Sequence, residues 1–193
     1  MHFNYKRAFI FLLLLLGSYC ASAQPIIELK LIGFTVHLKS TPHAHLYKSK
    51  IDKKGFFVVN KGIVLSVSVP VRPNIYLSFM QALMLDCANM PAGYTHIGIK
   101  PIITDGSNQY CLGMGPTLFY RKSWSSMSGY VNEGLFKEYK GIQYKLLGYS
   151  GEVEYGRRIS KTDYFTVGFI PGVPEFLNLN MGVQIRNLSS PQK

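Results

Sequence analysis

Charge is scarce in this chain, and acid is scarcer than base. Lys, Arg, Asp and Glu make up 16% of its 193 residues, against about 25% in an ordinary soluble domain. Ten acids stand against 21 bases. Beyond position 23 no apolar run approaches the roughly 20 residues that a spanning helix requires. Any membrane span must therefore be built from strands. No CxxC, HExxH, GxSxG or glycine-rich phosphate loop is present, which argues against the common soluble enzyme classes. Repeats, low-complexity stretches and linkers are absent too, and the length suits one domain.

What is there begins with an export signal. Met1–Arg7 carries Lys6 and Arg7 and no acid, Ala8–Gly17 is apolar with five consecutive leucines, and Ala21-Ser22-Ala23 ends the segment. A charged start, a short apolar middle and an A-x-A end form a secretory signal. The expected organisation is a cleaved signal over 1–23 and a single β-barrel domain over 24–193. Tyr19 before Cys20 does not suit a lipoprotein. Cleavage removes Lys6, Arg7 and Cys20. That leaves 21 − 2 = 19 bases against 10 acids, or about +9, and two cysteines, Cys87 and Cys111. An exported protein of this charge meets lipid phosphates rather than nucleic acid. The expected partners are outer-membrane lipids, with lipopolysaccharide among them, and the expected state is a monomer.

The mature chain alternates with period 2, the signature of half-buried strands. In Phe176–Leu188, Leu177, Leu179, Met181, Val183 and Ile185 share one face, while Asn178, Asn180, Gly182, Gln184 and Arg186 share the other. Similar alternation places strands at Ile26–Leu38, Phe56–Val69, Ile75–Leu85, Tyr94–Ile103, Tyr110–Arg121, Tyr139–Arg157 and Asp163–Ile170. Met80–Met84 is rich in helix formers, but the turn before Ile75 sets a β entry. After the first, third and fifth strands come polar connections, Lys39–Gly55, Asp86–Gly93 and Lys122–Glu138. After the second, fourth and sixth come tight turns. Short turns at one end and long loops at the other predict an all-β, eight-stranded antiparallel up-and-down transmembrane barrel. Aromatics near the strand ends, among them Tyr94, Trp124 and Tyr164, read as interfacial girdles.

Strand parity assigns the polar residues. Glu28, Lys30, Glu152, Glu154, Gln184 and Arg186 point into the lumen near the periplasmic end, where opposite charges must pair. Arg186 is expected to contact Glu28, Glu152 or Glu154. Towards the outer mouth Asp86, His96 and Arg121 also point inward. Asp86 and His96 flank one hairpin, and an Asp that orients a His is half of a nucleophilic hydrolase. They are the candidate catalytic pair, with Ser125, Ser126 or Cys87 as possible nucleophiles. Lys48, Lys50, Lys53 and Lys54 in the first long loop are candidates for lipid-phosphate contact. His37, His43 and His45 lack accompanying ligands, so no metal and no cofactor are expected. Cys87 and Cys111 fall near opposite strand ends, beyond disulfide reach.

Over its whole mature length the chain resembles, as a class, the small eight-stranded outer-membrane barrels, with Gly182–Ile185 similar to their closing strand. That resemblance implies a structural role or interactions through the loops. Some members modify lipid A by deacylation or acyl transfer, which is the alternative for Asp86 and His96. A second alternative is a soluble periplasmic barrel with its apolar faces inward around an apolar ligand.

Overall fold

The computed structural model describes residues 24–37, 43–132, 134, 136–172 and 176–186. The expected signal segment lies outside them. Ten strands follow one another: β1 Ile26–His37, β2 Phe57–Val58, β3 Lys61–Arg72, β4 Ile75–Leu85, β5 Pro91–Asp105, β6 Asn108–Lys122, β7 Lys137–Tyr139, β8 Ile142–Arg158, β9 Tyr164–Gly172 and β10 Phe176–Arg186. Eight of them form an antiparallel ring in the order β10-β9-β8-β6-β5-β4-β3-β1, which β1–β10 pairing closes. Met80–Met84 is strand throughout. Among the described residues the only helix is a single 3-10 turn, Ala44–Leu46.

The ring is closed by short turns below and capped by loops above. Pro73–Asn74 joins β3 to β4, with Asn74 at φ 62. Gly106–Ser107 joins β5 to β6, with Gly106 at φ 56. Such left-handed positions favour Gly and Asn.

Two predicted strands divide. Phe56–Val69 becomes β2 and β3. β2 pairs with Thr35 and Val36 at the top of β1, while β3 pairs with Ile26–Ile32 below them. Tyr139–Arg157 becomes β7 and β8, joined by Lys140 at φ 48 and Gly141 at φ 75. Two successive positive φ values make the primed turn whose twist matches a hairpin.

A bulge corrects the parity in β8. Gly115 faces Ser150, but Thr117 faces Leu147, so Gly148 and Tyr149 stand against the single residue Pro116. Proline cannot donate to the ladder, and an inserted residue reverses the faces beyond it. Leu146 therefore points outward, 68% exposed, and Gln143 is fully buried. Simple alternation carried from Glu154 upward gives the opposite faces.

The polarity of the ring is plain. Leu29, Leu31, Leu65, Phe79, Ile99, Leu112, Val153 and Phe169 all face outward, each at least 46% exposed. Inside, side chains fill the lumen in layers. Ile26, Ile102 and Cys111 close the lower end. A charged layer lies above them. Ile32, Val64, Met80, Tyr94 and Phe119 form an apolar layer higher still. The inverse polarity expected of a soluble barrel around an apolar ligand is not found. Three residues assigned to girdles prove to be interior as well: Tyr94, Trp124 and Tyr164 are at most 3% exposed.

Candidate functional site

Five long charged side chains meet in the middle of the lumen. Glu28 and Lys30 come from β1, Lys100 from β5, Glu152 and Glu154 from β8, and all are at most 3% exposed. Lys30 Nζ lies 3.0 Å from Glu28 and 3.0 Å from Glu152, and it also pairs with Glu154. Lys100 Nζ lies 2.9 Å from Glu28, 2.9 Å from Glu152 and 3.4 Å from Glu154. An ammonium carries three N–H donors, and here each one faces three carboxylates.

Glycines make room for these side chains. A Cβ on Gly182 would stand 2.1 Å from the Leu29 carbonyl oxygen and 2.8 Å from Lys30 Cγ. A Cβ on Gly113 would meet Glu152 Cγ at 2.9 Å. Among the described residues Glu28, Glu152 and Glu154 also form the one group of acids close enough to share a metal ion. The two ammoniums fill that place.

Arg186 does not join the cluster. Its strand parity is inward, but it lies opposite Ile26, whereas Gln184 takes the place opposite Glu28. The guanidinium donates to Gln109 Oε1 and sits 5.1 Å from the centre of the Tyr164 ring. The Gln109 amide in turn lies 2.7 Å from that of Gln184. The cation that takes the expected place is Lys100. It was legible in the sequence, because it shares the parity of His96 on the same strand.

The candidate catalytic pair does not form either. His96 lies opposite Met80, six residues down β4 from Asp86. At about 3.3 Å per residue that is roughly 20 Å of strand. Two inward side chains can share a face without sharing a depth. His96 Nδ1 is 2.7 Å from Thr117 Oγ1. Asp86 instead organises the cap over the mouth. It accepts from the Ala88 amide at 2.9 Å, the Met90 amide at 2.8 Å and Trp124 Nε1 at 2.8 Å. Burial pushes its carboxyl above the usual carboxylate range, against the pull of those bonds and of Arg121.

Around Asp86 the loops pack as a small core of Tyr47, Val58, Cys87, Ala88 and Trp124. The Arg121 guanidinium lies 3.9 Å from the Trp124 ring centre and 4.1 Å from that of Phe136. It also donates to Gln143 Oε1 at 2.9 Å. Stacked cations of this kind contribute about 0.5–2 kcal/mol. Cys87 is a buried thiol whose ionisation burial opposes, and Cys111 is also free. Ser125 donates to Glu138 at 2.6 Å. Two of the three loop histidines stack on tyrosines: the His37 ring is 5.2 Å from that of Tyr47, and the His43 ring is 4.8 Å from that of Tyr130. Lys48, Lys50, Lys53 and Lys54 stand exposed on the first loop. Asp52 holds that loop's shape by accepting from the Phe57 amide at 2.7 Å and the Lys54 amide at 3.0 Å.

Trp124 is the chain's single tryptophan, so it reports on the cap directly. Asp86→Ala should shift its emission to the red and open it to acrylamide quenching. The variant leaves the indole N–H and two loop amides without their acceptor, at about 1–3 kcal/mol for each buried group. Unchanged emission would mean that Asp86 does not hold the cap.

No protein-family description matches the chain, and no curated protein matches it by sequence. Solved structures do match. One is Ail, the attachment invasion locus protein of Yersinia pestis, in complex with the heparin analogue sucrose octasulfate. It shares 9% identity over 86% of this chain and 97% of that one, with a TM-score of 0.49. A second structure of Ail matches at 10% identity over 86% and 97% of the two chains, with a TM-score of 0.45. Neisserial surface protein A matches at 9% identity over 84% and 97%, with a TM-score of 0.43. Both proteins are small eight-stranded outer-membrane barrels. The likeness is one of architecture.

Proposed function

We infer that the chain is exported, loses its first 23 residues, and spans the outer membrane as a structural barrel whose capped loops contact lipopolysaccharide phosphates through Lys48, Lys50, Lys53 and Lys54. The polarity of the ring carries this reading: apolar side chains surround its outside while a charged layer is buried within. Exposed apolar area of that extent on a soluble monomer is an aggregation hazard. Around a membrane span it is a requirement. A lumen packed from below, through the ionic layer and up to the cap, suits a wall or an anchor rather than a pore. The lipid A-modifying alternative rested on Asp86 and His96, which lie at different depths.

Fractionation tests the reading. The mature protein should begin at Gln24, resist carbonate extraction from outer membranes, and migrate faster on gels unheated than boiled. Recovery in the soluble periplasm without detergent would overturn it. The four loop lysines replaced by glutamine should leave insertion intact and lower the lipopolysaccharide that co-purifies.

A further inference from the structure

The outward wall at the top of β6, β8 and β7 carries a second basic surface, distinct from the first loop. Cross-strand register arranges it in rows. Lys122 lies opposite Ile142, which lies opposite Tyr139. Tyr120 lies opposite Tyr144, which lies opposite Lys137. Below them Leu118 lies opposite Leu146. Directly opposed residues share one face of a sheet, so these three rows form one continuous outer surface. Lys122, Lys137 and Lys140 are all exposed, as are Tyr139 at 64%, Ile142 at 51% and Leu146 at 68%.

The paired segment Lys137–Tyr144 has one acid, Glu138, and it is turned away. It pairs opposite the buried Gln143 and accepts from Ser123 Oγ at 2.8 Å and Ser125 Oγ at 2.6 Å, bonds that hold its carboxyl below the usual range. The face is thus cationic and aromatic above, and apolar below. Lys122 and Lys137 stand on either side of β8, two strand spacings across and two residues along, or about 12 Å apart. Flexible lysine stems can close that gap on one anion held over Ile142 and Tyr144.

We propose that this face of β6, β7 and β8 binds the phosphorylated headgroup of an outer-leaflet lipid, with Lys122, Lys137 and Lys140 on the phosphate and Leu118 and Leu146 against the acyl chains. The proposal rests on the membrane-spanning reading and adds to it a second lipid contact, through different residues. Charge complementarity selects an anion. A lipid, rather than a free polyanion, follows from the continuity of the lysine rows with an apolar row on the same outward wall. Tyrosines between the two are the side chains that favour a membrane interface.

The test uses the full mature chain in nanodiscs of phosphatidylcholine, with and without bisphosphorylated lipid A. Lipid A retained per barrel is read by native mass spectrometry, and the thermal midpoint by Trp124 emission. Wild type should retain lipid A and melt higher with it. The variant Lys122→Gln/Lys137→Gln/Lys140→Gln should insert normally and lose at least half of both effects. Inorganic phosphate added to phosphatidylcholine discs should give neither. The proposal is overturned if this variant keeps full retention while the four-lysine loop variant loses it, a result that leaves the proposed function standing. It is overturned equally if inorganic phosphate reproduces the stabilisation. A chain that never enters the discs folded would instead remove the membrane reading itself.

Discussion

Lys100→Ala should lower barrel stability by about 3–5 kcal/mol, while Glu154→Gln at the same cluster should leave it unchanged or raised. Three carboxylates face two ammoniums in this layer. Formal charges therefore sum to 2 − 3 = −1 when every group is ionised. Removing Lys100 leaves three acids to a single ammonium, in a lumen walled by protein. An uncompensated buried charge is expensive because neither water nor a counter-ion reaches it. Glu154→Gln keeps the shape and an acceptor oxygen, and brings the cluster to neutrality. Urea unfolding in detergent, followed by Trp124 emission, measures both. A Lys100→Ala midpoint equal to wild type would mean that the ion pairs contribute nothing. Arg186→Ala should cost less than Lys100→Ala, since its partners are an amide and an aromatic ring.

Gly182→Ala is expected to prevent closure altogether. The added Cβ would fall 2.1 Å from the Leu29 carbonyl oxygen and 2.7 Å from Lys30 Cα. Both are backbone atoms of the strand that pairs with β10 to complete the ring. A flexible side chain could move aside, but here the β1–β10 ladder itself would have to separate. An unclosed ring exposes unpaired strand edges. In lipid each unsatisfied backbone group costs several kcal/mol. The variant should therefore give no heat-modifiable species and should accumulate as aggregate. Gly106→Ala, where a Cβ meets nothing within 4 Å, is the comparison. It should fold, with a modest penalty from its positive φ. A Gly182→Ala protein that folds and shifts on heating like wild type would show that the seam tolerates displacement.

Strand number, antiparallel order, the contrast of turns with loops, and the outward apolar face were all legible in the sequence. Each follows from local rules: a pleated strand exposes alternate residues to opposite sides, and turn residues mark where it reverses. Glu28, Lys30, Glu152 and Glu154 could be assigned to the lumen for the same reason. Parity names a face but carries no depth. Within the β4–β5 hairpin depth follows the register: Met90 returns to Asp86 and His96 to Met80, so Asp86 and His96, correctly read as inward, lie far apart. Between strands distant in the chain, depth depends on how far each is sheared past its neighbours around the closed ring. Lys100, left out of the reading, proves central to the cluster, and Arg186 finds an amide instead of a carboxylate. The bulge opposite Pro116 could not be counted from alternation, because one extra residue in β8 reverses every face above it. Nor could the loops be seen to fold into a cap, since Trp124, which stacks on Arg121, is joined to Asp86 across 38 residues of chain. The sequence alone determined that a ring of eight strands would turn its apolar side outward. Closure of that ring decided which buried charges meet, because neighbours across a barrel are chosen by register and not by order along the chain.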